Sequence, residues 1–386
     1  MSQKTILILG GYGNTGLALA HLLLQETNAR LILAGRNRKK AENSAYHLNI
    51  PFEPNEKRVT GLVADAANVE SLKQAFQGVD FVVVASGTTN YAKEVITAAL
   101  AIGVDYLDVQ YSREKLETLR AWKDDIEQAG RCFITEAGFH PGMPAALVRY
   151  AATFFDCMDQ AVASSVVNLG GTLPKSMDTL YEFVEEFKNY DSYIFKEGGW
   201  REASSTTMRD MYRTDFGPEF GKRYCAPMLL EEMVALPEII PTLRETGFYI
   251  ADTNLVASWG LFPLIMLGLK FWPKRAVKPL GKLLYWSYKL LKAPPYGVAL
   301  KVEAHGEKDG KAKDLEIILT HKDGYMFTVI PVAACLLQYL EGSIQKQGLW
   351  MLGHLVDPTR LIYDVERLGA TLRTREQIGF SRDSAH

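Results

Sequence analysis

Three glycines, Gly11, Gly13 and Gly16, have a spacing that suits phosphate binding. They follow the apolar run Thr5–Leu9 and precede a leucine-rich segment. At this spacing the first glycine permits a sharp turn, the second lets a pyrophosphate approach the backbone, and the third lets a helix pack on the strand. The helix N-terminus then offers unpaired N–H groups. We therefore predict that a dinucleotide binds at Gly11, Tyr12, Gly13, Asn14, Thr15 and Gly16. The alternative is a related fold that has kept the loop and lost the ligand.

A basic cluster occupies the position that distinguishes NAD from NADP. An NAD-preferring site usually carries an acidic residue about 20 residues beyond the glycines, where it holds the ribose 2′-hydroxyl. Arg36 stands there instead, and no Asp or Glu occurs between Glu26 and Glu42. A guanidinium can bind a 2′-phosphate through two hydrogen bonds, so we predict NADP as the cofactor, with Arg36 and Asn37 as contacts. The alternative is a solvated basic turn formed by Arg36, Arg38, Lys39 and Lys40.

A parallel sheet would position these residues, and the first 135 residues alternate apolar strands with helical segments. Strands are predicted at Thr5–Leu9, Arg30–Ala34, Val59–Ala64, Phe81–Ala85, Tyr106–Val109 and Cys132–Glu136. Helices are predicted at about 14–26, 38–48, 69–77, 91–103 and 112–129. The fold class is α/β, a Rossmann-type doubly wound parallel sheet with its ligand crevice at the carboxyl ends of the strands.

Polar residues follow several of these strands and are further candidates for cofactor contacts. Asp65, after strand three, either accepts a hydrogen bond from the adenine amino group or caps the next helix. After strand four, Ser86, Gly87 and Thr88 either contact the nicotinamide ribose or form a plain turn. The two acidic residues around strand five, Asp105 and Asp108, are predicted to fix turns.

Two side chains at the same edge of the sheet are candidates for proton transfer. His140 follows strand six, and an imidazole exchanges protons near neutral pH; the alternative is a hydrogen-bonded turn residue. Tyr111, after strand five, is the second candidate, as a proton donor or as a ring stacked in the cleft. The four cysteines and seven histidines show no metal-ligand spacing, so no metal site is predicted.

From about residue 143 the pattern changes to that of a second, α+β domain with a mixed or antiparallel sheet. Strand-like runs are predicted at Ala161–Asn168, Phe248–Ala251, Ala299–His305 and Leu315–Thr320, and helices at Ser176–Asn189, Met228–Glu238, Tyr325–Gln345 and Asp357–Gly369. We expect an NADP-binding Rossmann domain over 1–142 and a substrate and dimerisation domain over 143–345. A C-terminal segment follows over 346–386.

One stretch of the second domain combines apolar residues with positive charge. Residues 253–302 contain eight cations and no acidic residue. A membrane-spanning helix needs about 20 apolar residues, whereas the uncharged run before Lys270 is shorter and is broken by Pro263. Two interpretations stay open: an interfacial helix on an anionic membrane surface, and a helical pair packed on the sheet or at a dimer interface with a solvated basic rim.

The bulk composition is that of an ordinary globular protein. The chain has 386 residues, of which 47% are hydrophobic and 23% charged, enough to bury a sizeable core. A net charge of −2 argues against general nucleic-acid binding. Because a strand is expected already at Thr5, we predict no leader peptide. Because the cysteines are far apart, we predict a protein of the reduced cytoplasmic compartment. A peripheral contact with membrane through 253–302 stays open.

The chain resembles the saccharopine dehydrogenase superfamily, which includes the glutamate-forming saccharopine reductase and carboxynorspermidine dehydrogenase. The resemblance is carried by the Gly-Tyr-Gly loop, Asp65, Tyr106-Leu107-Asp108, Tyr111, Glu136-Ala137-Gly138-Phe139-His140-Pro141-Gly142, and Gly170-Gly171-Thr172-Leu173-Pro174. It implies an NADP-dependent oxidoreductase that acts at a carbon–nitrogen bond of a small-molecule substrate and forms a homodimer. It also implies that the C-terminal segment, 346–386, returns to the Rossmann domain.

The chain also departs from that family's pattern at substrate-side positions. His140 stands where an acidic residue is common, Met143-Pro144-Ala145-Ala146 lacks the Asp of saccharopine reductase, and Leu169 replaces a Cys. These departures leave the substrate open. The apolar segment is also similar to that of enoyl-reductase-like members. Two alternatives to the proposed reaction are therefore open: reduction of a C=C bond in an apolar lipid, and NADP binding without redox chemistry at a membrane or partner surface.

Overall fold

The computed structural model describes residues 3–52, 57–168, 177, 181, 184, 190–204, 208–252, 261–273, 275–290 and 294–379. Within these ranges the strands are β1 (Thr5–Leu9), β2 (Arg30–Gly35), β3 (Val59–Val63), β4 (Phe81–Val84), β5 (Asp105–Asp108), β6 (Cys132–Thr135), β7 (Cys157–Asn168), β8 (Tyr193–Lys196), β9 (Gly199–Glu202), β10 (Tyr212–Asp215), β11 (Lys222–Met228), β12 (Glu245–Asp252), β13 (Gly297–Lys308), β14 (Lys311–His321), β15 (Gly348–Met351) and β16 (Thr371–Ile378).

The helices in the same ranges are α1 (Asn14–Glu26), α2 (Arg38–Asn49), α3 (Val69–Phe76), α4 (Ala92–Ile102), α5 (Arg113–Ala121), α6 (Lys123–Gln128), α7 (Met143–Ala152), α8 (Glu231–Val234), α9 (Leu236–Ile239), α10 (Phe262–Phe271), α11 (Val277–Leu290), α12 (Gly324–Glu341), α13 (Leu352–Leu355) and α14 (Pro358–Arg367). The helix predicted over 112–129 is therefore two helices, α5 and α6, with a break at Trp122. The helix predicted over 228–238 is the short pair α8 and α9.

The first sheet is parallel throughout, with strand order β15-β6-β5-β4-β1-β2-β3. The chain runs outward from β1 through β2 to β3, then crosses back to place β4 on the other side of β1. The point where the direction reverses lies between β1 and β4, and ligands of open α/β sheets bind at the carboxyl ends of the strands at such a point. This confirms the Rossmann-type fold class.

Two chain segments build the unit that contains this sheet. Residues 1–143 and 328–365 form the first unit, and residues 144–327 and 366–386 form the second. The sequence predicts boundaries after 142 and 345, whereas the first unit takes up the chain again at Thr328. Helix α12 explains the difference, because the Tyr339 hydroxyl donates to Asp105 and the Tyr339 ring lies 4.5 Å from the Phe81 ring.

Helix α12 is long and apolar enough to cross a membrane by length and composition, with a mean hydropathy of 1.3. Two thirds of it (67%) is nevertheless buried inside the protein, including Val329, Ile330 and Leu336. This burial is typical of a core helix. It is the one helix of the described ranges that meets the length and hydropathy criteria for a membrane span.

The second unit contains a mixed sheet in which β12 and β7 are parallel and the other pairs are antiparallel. Its main path is β10-β11-β12-β7-β13-β14-β16, and the hairpin of β8 and β9 joins it through β12. The strands predicted at Ala161–Asn168, Phe248–Ala251, Ala299–His305 and Leu315–Thr320 form its centre as β7, β12, β13 and β14. The mixed sheet predicted for this domain is therefore confirmed.

The chain after residue 346 divides between the two sheets, which corrects the expectation that 346–386 returns as a whole to the Rossmann domain. Strand β15 pairs with β6 in the first sheet, but β16 pairs with β14 in the second over Thr371–Ile378. Because β16 is an exposed edge strand rich in charged residues, it lacks the apolar alternation from which a strand is predicted. The turn predicted at 170–174 and Leu169 lie outside the described residues, as does most of the helix predicted at 176–189.

Candidate functional site

The glycine loop is held by close backbone packing at three of its positions. Gly10, with φ +85°, makes the turn out of β1, so the sharp turn assigned to Gly11 lies one residue earlier. A Cβ on Gly11 would lie 2.8 Å from Leu33 Cα, and one on Gly16 would lie 2.4 Å from Gly10 O. Gly11 thus allows close contact with β2, and Gly16 allows α1 to pack on the loop.

The outer side of the loop is open to a ligand. A Cβ placed on Gly13 would have one protein atom within 4 Å, Gly10 O at 3.1 Å. Gly13 is also the N-cap residue of α1, whose first turn contains no acidic residue and receives no side-chain cap. Asn14 is exposed and Thr15 half-buried in that turn. The residues present therefore fit a pyrophosphate, which would meet bare backbone N–H groups and the positive end of the helix dipole.

Tyr12 joins the glycine loop to the carboxyl end of β2. A Cβ on Gly35 would lie 2.6 Å from the Tyr12 ring, so the ring packs flat against the Gly35 backbone. The Tyr12 hydroxyl accepts a hydrogen bond from Asn37 N at 3.1 Å. The Asn37 side chain caps α2 by accepting from Lys40 N at 3.0 Å. Tyr12 and Asn37 are thus brought together, and Asn37 Oδ1 is already used in the cap.

The basic cluster predicted to select NADP is exposed beside Asn37, from Arg36 to Lys40. Arg38 forms an ion pair with Glu42 at 3.6 Å. Among the described residues the Arg36 side chain has no hydrogen bond or ion pair. A free guanidinium at the carboxyl end of β2 is available to an incoming phosphate, which agrees with the role predicted for Arg36.

The loop after β4 contacts both neighbouring loops. A Cβ on Gly10 would lie 2.6 Å from Ser86 Cβ, so the loops after β1 and β4 touch at the reversal point of the sheet. Thr88 N donates to Ser86 O at 2.8 Å and the two hydroxyls lie 3.2 Å apart, with Gly87 between them. Gln110 Nε2 donates to Ser86 O and to Thr88 Oγ1, which ties this loop to the end of β5.

Asp65 follows β3, two strands away from the glycine loop. Its Oδ1 accepts from Ala67 N at 3.1 Å, and Asn68 is the residue that caps α3 by accepting from Ser71 N. The alternative role of Asp65 as the helix cap is therefore wrong, since it stabilises the turn before the cap. Its role toward adenine stays a prediction.

A fully buried ion pair lies beneath the same edge of the sheet. Lys115 Nζ is 2.6 Å from Asp108 Oδ1, and neither side chain is exposed. Nζ also donates to Gln110 O at 2.6 Å and to Thr135 Oγ1 at 2.9 Å, so its three protons all have acceptors. Asp108 Oδ2 accepts from Thr135 Oγ1 at 2.8 Å and from Tyr106 OH at 3.0 Å. Burial, and then Asp108, raises the pKa of Tyr106 well above its ordinary value.

This network fixes the ends of β5 and β6, and its lysine is not predicted from the sequence. Asp108 does fix turns as predicted, because its Oδ1 accepts from Gln110 N at 3.2 Å and from Glu136 N at 3.4 Å. Lys115 was not singled out, since a lysine in the first turn of a helix is usually solvated. The available signal was weak: Lys115 precedes the buried Leu116 on an amphipathic helix.

The chain leaves β6 through one residue of unusual backbone conformation before it reaches His140. Glu136 is 1% exposed and has φ +54°, a left-handed conformation that costs a non-glycine residue roughly 1–2 kcal/mol. Such strain is found most often at functional sites, which makes Glu136 a further candidate.

His140 lies on the loop after β6, and Tyr111 on the loop after β5. The His140 ring centroid is 4.2 Å from that of Phe139, and Nε2 is buried although the residue retains some exposure. Burial lowers the pKa of His140 to about 4, because a low-dielectric environment disfavours the imidazolium. The near-neutral pKa expected from the sequence is therefore wrong, and the ring is neutral at pH 7. Tyr111 is half-buried between Gln110 and the α5 cap Ser112.

Within the described ranges no three His, Cys, Asp or Glu side chains come together as metal ligands. Eleven of the twelve predicted cofactor residues follow β1, β2 and β4, and two contacts link these segments, Tyr12 with Asn37 and Gly10 with Ser86. The twelfth, Asp65, follows β3 at the far strand.

Comparisons with known proteins agree with this geometry. Residues 6–134 match the family described as the saccharopine dehydrogenase NADP binding domain. The chain is 24% identical over 389 residues to a carboxynorspermidine synthase of Vibrio cholerae serotype O1, covering 89% of this chain and 91% of that protein. It superposes with a TM-score of 0.70 and 13% identity on apo histidine-tagged saccharopine dehydrogenase (L-Glu forming) from Saccharomyces cerevisiae, covering 97% and 100% of the two chains.

Proposed function

Because the chain belongs to the saccharopine dehydrogenase-like oxidoreductase superfamily and carries its NADP-binding domain, we propose that it transfers a hydride between NADP and a carbon–nitrogen bond of a small molecule. In the reductive direction the hydride goes to the imine carbon and a proton to the nitrogen, which leaves a secondary amine and oxidised cofactor. The observation that carries this proposal is the open glycine loop at the sheet's reversal point, with the free Arg36 beyond it.

The cofactor, when bound, supplies the hydride, and the chain's own residues bind and orient it. We assign the pyrophosphate to Gly13 and the first turn of α1, and the 2′-phosphate to Arg36. Ser86, Gly87 and Thr88 are assigned to the nicotinamide ribose, with Gln110 holding their loop. His140 is assigned a hydrogen-bonding role as a neutral imidazole, and Tyr111 that of the proton donor.

The experiment is NADPH oxidation by the purified full-length chain, offered imines formed in solution from aldehydes and amino acids or diamines, and in parallel enoyl thioesters. We expect turnover with at least one imine and none with enoyl thioesters. Turnover confined to enoyl thioesters would replace the proposal with C=C reduction. Tight NADPH binding with no turnover on either panel would support a redox-silent NADP-binding protein.

The superfamily resemblance also supports a homodimer, which we propose for this chain. Light scattering after size-exclusion chromatography measures it directly, and a monomer at all accessible concentrations would contradict it.

A further inference from the structure

Two neighbouring helices of the second unit present large apolar side chains to solvent. On α10, Leu264, Leu267 and Phe271 recur at intervals of three and four residues, and they are 48%, 55% and 61% exposed. Trp272, which follows directly, is 62% exposed. Residues at these intervals share one side of a helix, so the exposed apolar residues form a stripe and are not scattered.

Helix α11 repeats this arrangement. Leu283, Trp286 and Leu290 share one side of the helix and are 42%, 52% and 73% exposed, with the exposed Pro279 in the same row. Exposed indole and isobutyl groups in a continuous row are unusual on a monomeric soluble protein, and they mark an interaction surface.

The opposite sides of both helices are already packed, so the exposed residues are not displaced core residues. Ile265 and Leu269 of α10 and Val277, Leu280 and Leu284 of α11 belong to one buried cluster. The helices approach closely at Gly268, where a Cβ would lie 3.0 Å from the Leu280 side chain. Each helix is thus apolar on two sides, one that faces the protein and one that faces solvent.

Positive charge flanks the exposed stripe. Lys278, Lys282 and Lys289 occupy the side of α11 adjacent to the apolar row, and all three are exposed. Lys289 Nζ lies 5.1 Å from the centre of the Trp286 ring, a cation–π contact that keeps the ammonium beside the indole. No acidic residue occurs from 253 to 302 in the sequence, so nothing in this stretch of the chain neutralises these charges.

We propose that the outer sides of α10 and α11, with Trp272 between them, dock on the surface of an anionic lipid bilayer. The apolar rows would enter the interface between headgroups and acyl chains, where Trp is favoured, and the lysines would meet lipid phosphates and carboxylates. A symmetric contact between two copies of this surface is disfavoured, because a two-fold axis would bring the lysine rows against each other without acidic partners.

The experiment is co-sedimentation of the full chain with vesicles of equimolar phosphatidylserine and phosphatidylcholine, and with phosphatidylcholine vesicles. We expect binding to the anionic vesicles, weakening as salt is raised, and a blue shift of tryptophan fluorescence. The charge variant Lys278→Ala/Lys282→Ala/Lys289→Ala should bind roughly a hundredfold more weakly, from about 1 kcal/mol per lysine. The apolar variant Phe271→Ser/Trp286→Ser/Leu290→Ser should lose binding at least as strongly.

The control is Lys93→Ala/Lys123→Ala/Lys311→Ala, which removes three exposed lysines on other elements and should bind vesicles like the wild type. Circular dichroism and the thermal unfolding midpoint report that each variant is folded, and both should be unchanged in all three. Absence of vesicle binding by the wild type, or equal binding by all variants, would overturn the proposal. A dimer that the apolar variant converts to monomer, without vesicle binding, would identify the surface as a subunit interface and overturn it as well.

Discussion

Arg36 is the residue to which we assign the choice of cofactor. Its guanidinium is free, lies at the carboxyl end of β2, and is separated from the glycine loop by the contact between Tyr12 and Asn37. Arg38 is less suited to this role, because it is already paired with Glu42. A 2′-phosphate, which NAD lacks, would give Arg36 its counter-charge.

Replacing Arg36 by Ala should weaken NADPH binding between about ten- and a hundredfold, the usual cost of a lost charge-assisted hydrogen-bond pair, and change NADH binding by less than about threefold. Fluorescence titration with both cofactors measures the two affinities. Arg30→Ala is the matched control, since Arg30 is exposed at the opposite end of the same strand. Equal losses for both cofactors would show that Arg36 is only a surface charge.

His140 makes stability depend on pH. Its folded-state pKa of about 4 lies below the ordinary value of 6.5. Between these two pH values the unfolded chain therefore binds a proton at this position and the folded chain does not. The stabilisation is complete above pH 6.5 and is lost as the pH falls toward 4. Urea denaturation at pH 7.5 and 4.5 measures the decrease in the free energy of unfolding on acidification. In His140→Gln, which cannot titrate at this position, that decrease should be about 2 to 3 kcal/mol smaller than in the wild type. Parallel pH profiles for the two proteins would contradict this.

At the scale of elements, the loops at the carboxyl edge of the first sheet hold one another. Tyr12 links the loops after β1 and β2, Ser86 contacts Gly10, and Gln110 links the loops after β4 and β5. The buried pair of Lys115 and Asp108 continues this chain of contacts to β6. These contacts join the loops after β1, β2, β4 and β5 into one continuous edge.

A methyl group at Gly16 should displace the glycine loop, because the added Cβ would lie 2.4 Å from Gly10 O. We expect Gly16→Ala to lower the free energy of unfolding by about 1 to 3 kcal/mol and to weaken NADPH binding by at least about tenfold. Gly199→Ala is the control, since a Cβ there meets nothing within 4 Å, and it should stay within about 0.5 kcal/mol. Unchanged NADPH affinity in Gly16→Ala would refute the close packing.

Removing the Lys115 ammonium should leave the buried Asp108 carboxylate without its counter-ion. We expect Lys115→Met to lower the free energy of unfolding by about 3 to 5 kcal/mol and to weaken NADPH binding through Gln110. The double variant Lys115→Met/Asp108→Asn should recover part of the stability, because no charge is left buried. Lys73→Met, which breaks an exposed ion pair with Glu70, is the control and should cost at most about 1 kcal/mol. Similar costs for the two lysines would show that the buried pair is not special.

At the scale of the whole molecule, the sequence predicts elements that have a local apolar pattern. It does not predict contacts between residues that are distant in the chain. Strands β1, β2, β4 and β6 of the Rossmann half are built on apolar runs, so their existence and class follow from local pattern. Strands β9, β10 and β16 are edge segments rich in polar or charged residues and carry no such signal, and β8 has only four residues. The Lys115 network joins residues from one helix and two strands, a grouping that no spacing in the sequence reveals.

The candidate site divides in the same way. Gly11, Gly13, Gly16 and Arg36 could be predicted because dinucleotide binding imposes a fixed local spacing. The lowered pKa of His140 could not, since it results from burial by residues distant in the chain.

The two-segment construction of the first unit affects how the chain emerges from the ribosome. The Sγ atom of Cys132, at the start of β6, donates to the carbonyl of Ile344, which is made 212 residues later. At a synthesis rate of about 5 to 20 residues per second, β15 is made roughly 10 to 40 seconds after β6, the strand with which it pairs. During that interval β6 lacks the strand that covers its outer edge, and an unpaired edge strand can pair with other chains. Protease digestion of ribosome-arrested chains should cut β6 readily before residue 351 has emerged and slowly afterwards.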